Sequence, residues 1–249
     1  MKVKLSQLLS VKLSEWKLVL SLFFLLALNT LVLELSDVVA TAGFISKIGA
    51  SGMLWLWIID MLVILLGAGG YALVVDRVPR VQLMAWLLGG LATVYLILQL
   101  LFSYGAPDWL TYPSLYIMAD LQSSIFPLTL WTLANDVYTM SEGKRLFPVI
   151  GAGYAVGSIM GNGMAAGSAL LVARSGGNVL SLLTLVAIIL LGGMVLLWYA
   201  FHNRTVRARR SRESGINVRE TARVGVDFFK SVPLFGYLAI AMLLVGLSL

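Results

Sequence analysis

The chain has 249 residues, of which 59% are hydrophobic and 12% charged, and its mean hydropathy is +0.92. Soluble domains carry about a quarter of their residues as charges, so this composition describes a chain that lives mostly in a membrane. There is no cysteine, hence no disulfide framework or thiol chemistry, one histidine (His202) and no nucleophile or metal-ligand cluster, and the net charge of +6 follows membrane topology rather than nucleic acid.

A helix needs about 20 apolar residues to cross about 30 Å of hydrocarbon. Stretches of that kind are expected at 16–40, 53–75, 81–103, 110–133, 146–173 and 179–201, and another begins at 232 and is still apolar at 249. The alternation of a membrane β-barrel is absent. The first apolar run is too long for a cleavable signal peptide and lacks a small-residue cleavage pattern. The expected fold class is all-α: a polytopic bundle of six transmembrane helices plus the start of a seventh. The expected division is a six-span bundle over 1–203, a basic cytoplasmic linker over 204–231 and a truncated second half from 232, as in a fragment of a longer protein.

In the first span Thr30, Glu34, Asp37 and Thr41 recur at helical spacing and share one face, with Asn29 beside them. A carboxylate deep in a bilayer costs a few kcal/mol on insertion scales, so it faces a bundle interior or a water-filled cavity. Glu34 and Asp37, with Asn29 beside them and with Asp60 and Asp120 of the second and fourth spans, are therefore candidates for a substrate or ion pathway. The alternative for Asp37 is a hydrated place near the outer interface. The second span adds Asp60, which has no charged neighbour in its own helix and needs a partner elsewhere, and Gly67, Gly69 and Gly70, which suit close packing.

The fourth span holds Asp120, Ser123 and Ser124 before Pro127, then Thr129, Thr132 and Asp136. A mid-span proline removes a helix hydrogen bond and can bend the helix, as suits a cavity-lining element or a static kink. The fifth span repeats small residues every fourth position at Gly153, Gly157, Gly161, Ala165 and Ala169. Gly151, Gly163 and Gly167 form a second small face. Such faces let helix backbones approach closely.

Basic residues set the orientation. Of the 18 lysines and arginines, all but Lys47 and Arg174 fall on one side of the expected spans. That side, which includes the N-terminus, is expected to be cytoplasmic. The segment from Asn203 to Lys230 can lie on anionic lipid or serve as a linker.

Asp76-Arg77-Val78-Pro79-Arg80 follows the second span and resembles the signature of major facilitator transporters, with Ala72 and Pro79 where that signature carries glycine. The resemblance implies a cytoplasmic gate of Asp76, Arg77 and Arg80 with Asp136, Lys144 and Arg145 beside it. Leu130-Trp131-Thr132-Leu133-Ala134-Asn135-Asp136, followed by Glu142-Gly143-Lys144-Arg145 and a glycine-rich span, is similar to the fourth-to-fifth region of the ATP/ADP antiporter family of bacteria and plastids. That resemblance implies the N-terminal half of a secondary transporter working by alternating access, with nucleotide exchange as the family's activity. The expected setting is the bacterial inner membrane. The expected partners are membrane lipid, a small-molecule substrate and a C-terminal half of the same protein, without nucleic acid, cofactor, metal or enzymatic activity. One departure stands out: nucleotide exchangers hold phosphates with basic residues in early spans, whereas the charges inside these spans are acidic. A cation, a neutral solute or a lipid-like one fits them better. The reading from another class is a transport-inactive membrane sensor or anchor joined to a cytosolic domain.

Overall fold

The computed structural model describes residues 15–75, 77–175 and 181–202, all within one unit, Met1–Ala208. Six α-helices follow one another: α1 Trp16–Lys47, α2 Met53–Val74, α3 Arg80–Ser103, α4 Asp108–Val137, α5 Met140–Ser175 and α6 Ser181–Phe201. A 3-10 turn, Ala50–Gly52, precedes α2. Among the described residues, four stretches are long and apolar enough to cross a membrane: Trp16–Lys47, Ala50–Val74, Arg80–Ser103 and Leu182–Phe201. α4 and α5 have ample length, at 30 and 36 residues, but carboxylates, serines and glycines dilute their apolar character. Asp76, the linker at 204–231 and the expected stretch from 232 lie outside the described residues.

The helix ends have local causes. α3 stops in a glycine cap: Gly105 takes φ +72°, its N–H donates to the carbonyl of Phe102, and the N–H of Ala106 donates to that of Leu101. Pro79 and Pro107 stand at the N-caps of α3 and α4 in extended conformation, where a missing N–H costs nothing. α5 opens with a capping box. The backbone N–H and the hydroxyl of Thr139 both donate to the Glu142 carboxylate, at 2.9 and 2.8 Å. These bonds hold the Glu142 carboxyl below the usual glutamate range.

α1 is the hub. It packs against α4, α5 and α6, while α3 joins α4 and α6. Its buried residues include Leu22, Leu25, Val32 and Leu35, which meet Met84, Leu91, Leu130, Ile150 and Leu190 in one core. α2 is peripheral and packs chiefly on α4. Only its Leu56 and Asp60 are buried, whereas Trp55, Met61, Leu65 and Leu66 are exposed. Large apolar side chains on the outside suit a helix facing lipid, where they carry no hydration penalty.

The small-residue face of α5 packs on the backbone of α1. A Cβ at Gly153 or Gly157 would collide with the carbonyl oxygens of Phe23 or Ala27, and one at Gly161 would lie 2.9 Å from the carbonyl of Leu31. Glycine is required at these three positions because the obstacle is backbone, which cannot step aside. Gly163 and Gly167 have nothing within 4 Å of an added Cβ, so the second small face stays open. Gly157→Ala is therefore expected to lower stability by about 1–3 kcal/mol, the usual range for overpacking. Gly163→Ala should be neutral or slightly stabilising, since alanine is the better helix former. Thermal unfolding of the purified variants in detergent measures both.

Candidate functional site

The polar residues of the bundle fall into three groups. The innermost is a buried chain of hydrogen bonds across three helices. Tyr95 of α3 donates its hydroxyl to Gln122 Oε1 at 2.8 Å, and Gln122 Nε2 donates to Asn29 Oδ1 at 2.8 Å. All three side chains are buried. Asn29 was expected on a substrate pathway, but here it sits in a closed core network. An amide with no water to bond must find both its donor and its acceptor among side chains, and Gln122 finds both. Sequence reasoning passed over Gln122 and Tyr95. The signal available was a glutamine between Asp120 and Ser123 in an otherwise apolar run.

The second group is acidic. Glu34 on α1 accepts a hydrogen bond from Ser158 Oγ of α5 at 2.6 Å, and Asn162 Nδ2 donates to that same Ser158 oxygen at 3.3 Å. Gly161 lets this happen, because an added Cβ there would lie 2.7 Å from the Cβ of Glu34. One turn along α1, Asp37 accepts from Thr41 at 3.3 Å and lies within electrostatic range of Glu34 and Asp120. On the seam where α2 packs against α4, beside the Trp57–Tyr116 hydrogen bond, Asp60 of α2 and Asp120 of α4 lie close enough to act on each other. Thus four of the five expected pathway residues, Glu34, Asp37, Asp60 and Asp120, lie along α1, α2 and α4, and none makes an ion pair among the described residues. No group of three metal-binding side chains occurs among those residues either.

The third group lies at the end of the bundle where α1, α3 and α5 begin and α4 ends. Arg80 at the start of α3 donates from Nε to Asp136 Oδ2 near the end of α4, at 3.2 Å, with both side chains largely buried. Arg145 of α5 pairs with Glu15 just before α1. Arg77 and Lys144 are exposed. Asp76 lies outside the described residues; of the residues expected at a gate, Arg80, Asp136 and Arg145 make ion pairs at this end. Glu15 was not anticipated, because nothing local marks it as a partner for a residue so far along the chain. Between these ion pairs the α4–α5 turn is closed by aromatic packing. Phe147 meets Trp131 edge-on at 5.5 Å and Tyr138 at 6.4 Å.

Comparison with family models adds one finding. The model described as TLC ATP/ADP transporter matches residues 95–245, more than half of the chain. The chain belongs to the TLC ATP/ADP transporter family. No curated protein and no solved structure matches. Membership in this family, together with the long apolar helices, supports an integral membrane protein of nucleotide-transporter-like type. The matched span covers the α4–α5 turn, so the Trp131–Asp136 and Glu142–Arg145 segments are seen here as the packing and capping that join two helices of this TLC-family bundle.

Removing one partner of a largely buried ion pair leaves the other charge uncompensated. Arg80→Ala, which leaves the largely buried Asp136 carboxylate without this partner, is expected to lower stability by about 3 kcal/mol, and Asp136→Ala by a smaller amount. The double variant should lose clearly less than the sum of the two. Denaturant unfolding in detergent micelles, run as a double-mutant cycle, measures this coupling.

Proposed function

We propose that this bundle acts as the N-terminal half of a major-facilitator-type secondary transporter. In this reading all six helices cross the membrane, α4 and α5 included. Gln122 of α4 is turned into the core and the glycine face of α5 is turned onto α1, so much of what dilutes the apolar character of these two helices lies inside the bundle rather than towards lipid. Transport proceeds by rocking against a second bundle. The N-terminus and the Arg80–Asp136 end are cytoplasmic, in the inner membrane of a bacterium, as the asymmetry of lysine and arginine favours. Asp76, Arg77 and Lys144 join Arg80, Asp136 and Arg145 in a gate at that end. The TLC family match over residues 95–245 carries this reading, and it makes a nucleotide the first substrate to test.

A second reading of the substrate rests on a specific observation. Glu34, Asp37, Asp60 and Asp120 make no ion pair among the described residues. An interior of this sign repels phosphate and favours a cation or an uncharged solute. Proteoliposomes holding the protein and loaded with ADP separate the two. Nucleotide exchange should appear as uptake of labelled ATP that requires internal ADP and exceeds protein-free vesicles several-fold. Uptake no greater than in protein-free vesicles would overturn the nucleotide reading and leave the acidic interior as the guide to substrate.

A further inference from the structure

The least explained group in the molecule is Asp60. Its side chain is buried on a peripheral helix that is otherwise exposed, and its Oδ1 has no hydrogen-bond partner. The Trp57–Tyr116 hydrogen bond on one side and the approach of Gly67 to Leu121 on the other bracket the stretch of the α2–α4 seam that sets Asp60 beside Asp120. When both are ionised, each is only an acceptor, so neither can satisfy the other. A proton on one of them turns the contact into a hydrogen bond and removes the repulsion between like charges.

We propose that Asp60 and Asp120 form a proton-binding carboxyl pair between α2 and α4. The surroundings of the pair favour a proton over a metal ion. Two carboxylates without a third ligand do not make a divalent site, and no larger group of acidic or histidine ligands occurs among the described residues. Each element packed near the pair adds to the account. α1 presents Asp37, with Glu34 behind it, both acidic. α4 presents Tyr116, whose hydroxyl reaches Asp120 and accepts a hydrogen bond from Trp57 Nε1 of α2 at 3.2 Å. α3 presents Tyr95, whose hydroxyl is committed to Gln122. Neither carboxyl makes an ion pair with a lysine or arginine among the described residues.

The geometry also says what the proton would do. α2 is held to the bundle chiefly by α4, along a seam with Asp60 and Trp57 on one side and Asp120 and Tyr116 on the other. With α2 and α4 closed, one proton is held between two oxygens. When the helices part, each carboxyl meets water and the proton leaves to solvent. The bundle therefore has a protonatable latch in its interior, whatever solute it moves.

The test is infrared difference spectroscopy of the purified protein in lipid nanodiscs near neutral pH. A band of a protonated carboxyl, shifted in heavy water, is expected. It should be lost in Asp60→Asn and equally in Asp120→Asn, because each variant places an amide donor against the remaining carboxylate, which then stays ionised. Asp108→Asn, at an exposed helix start, should keep the band. Gel filtration reports whether each variant is folded, and if one is not, the other carries the test. A missing band in the unmodified protein, or a band that persists in a folded Asp60→Asn or Asp120→Asn, would overturn the proposal. So would its removal by sodium at constant pH, which would make the pair a sodium site.

Discussion

The contact between α1 and α5 is the constraint from which the rest of the arrangement follows. Three glycines at intervals of four bring the α5 backbone against the carbonyls of Phe23, Ala27 and Leu31. In lipid no hydrophobic force draws two helices together, so dispersion contacts between close backbones must supply much of the association. That close approach sets the rotation of α1 about its own axis. With the rotation set, Asn29 points to Gln122, Glu34 meets Ser158, and Asp37 comes into range of Asp120. A bulkier α5 face would turn α1 and scatter these partners.

The same constraint divides the polar residues by role. Tyr95, Gln122 and Asn29 satisfy one another completely enough to act as a rigid core. The acidic residues are satisfied in part, by hydroxyls and by each other, and they lie where helices meet rather than at the centre of the core. Partly satisfied groups between helices that can separate are where a membrane protein changes its protonation or its ligand. Fully bonded ones resist change.

At one end of the bundle, charge takes over from packing. Arg80 to Asp136 and Arg145 to Glu15 tie the start of α3 to the end of α4, and α5 to the approach of α1. These pairs are partly shielded from solvent, so salt screens them less than exposed pairs. Arg77 and Lys144 beside them remain exposed and contribute little to holding the end closed. The capping box at Thr139 and Glu142 and the aromatic contacts of Phe147 hold the short α4–α5 turn between Asp136 and Arg145, one member of each ion pair.

By itself the sequence determined the class, most of the helices and which residues share a face. Composition alone excludes a soluble chain. The four-residue spacing of glycines in α5 and of acids and threonines in α1 is local information that a helix converts directly into a stripe. The family resemblance was also legible, at Trp131 to Arg145. Only the tertiary structure decided which stripe meets which. Trp57 bonds a residue 59 positions away, Gln122 one 93 away and Arg145 one 130 away. Such partners depend on the rotation and neighbours of whole helices, which no periodicity encodes. For that reason Gln122 and Glu15 went unnoticed, the bond of Asn29 to Gln122 was not foreseen, and the neighbour of Asp60 across the α2–α4 seam could not be read from its own helix.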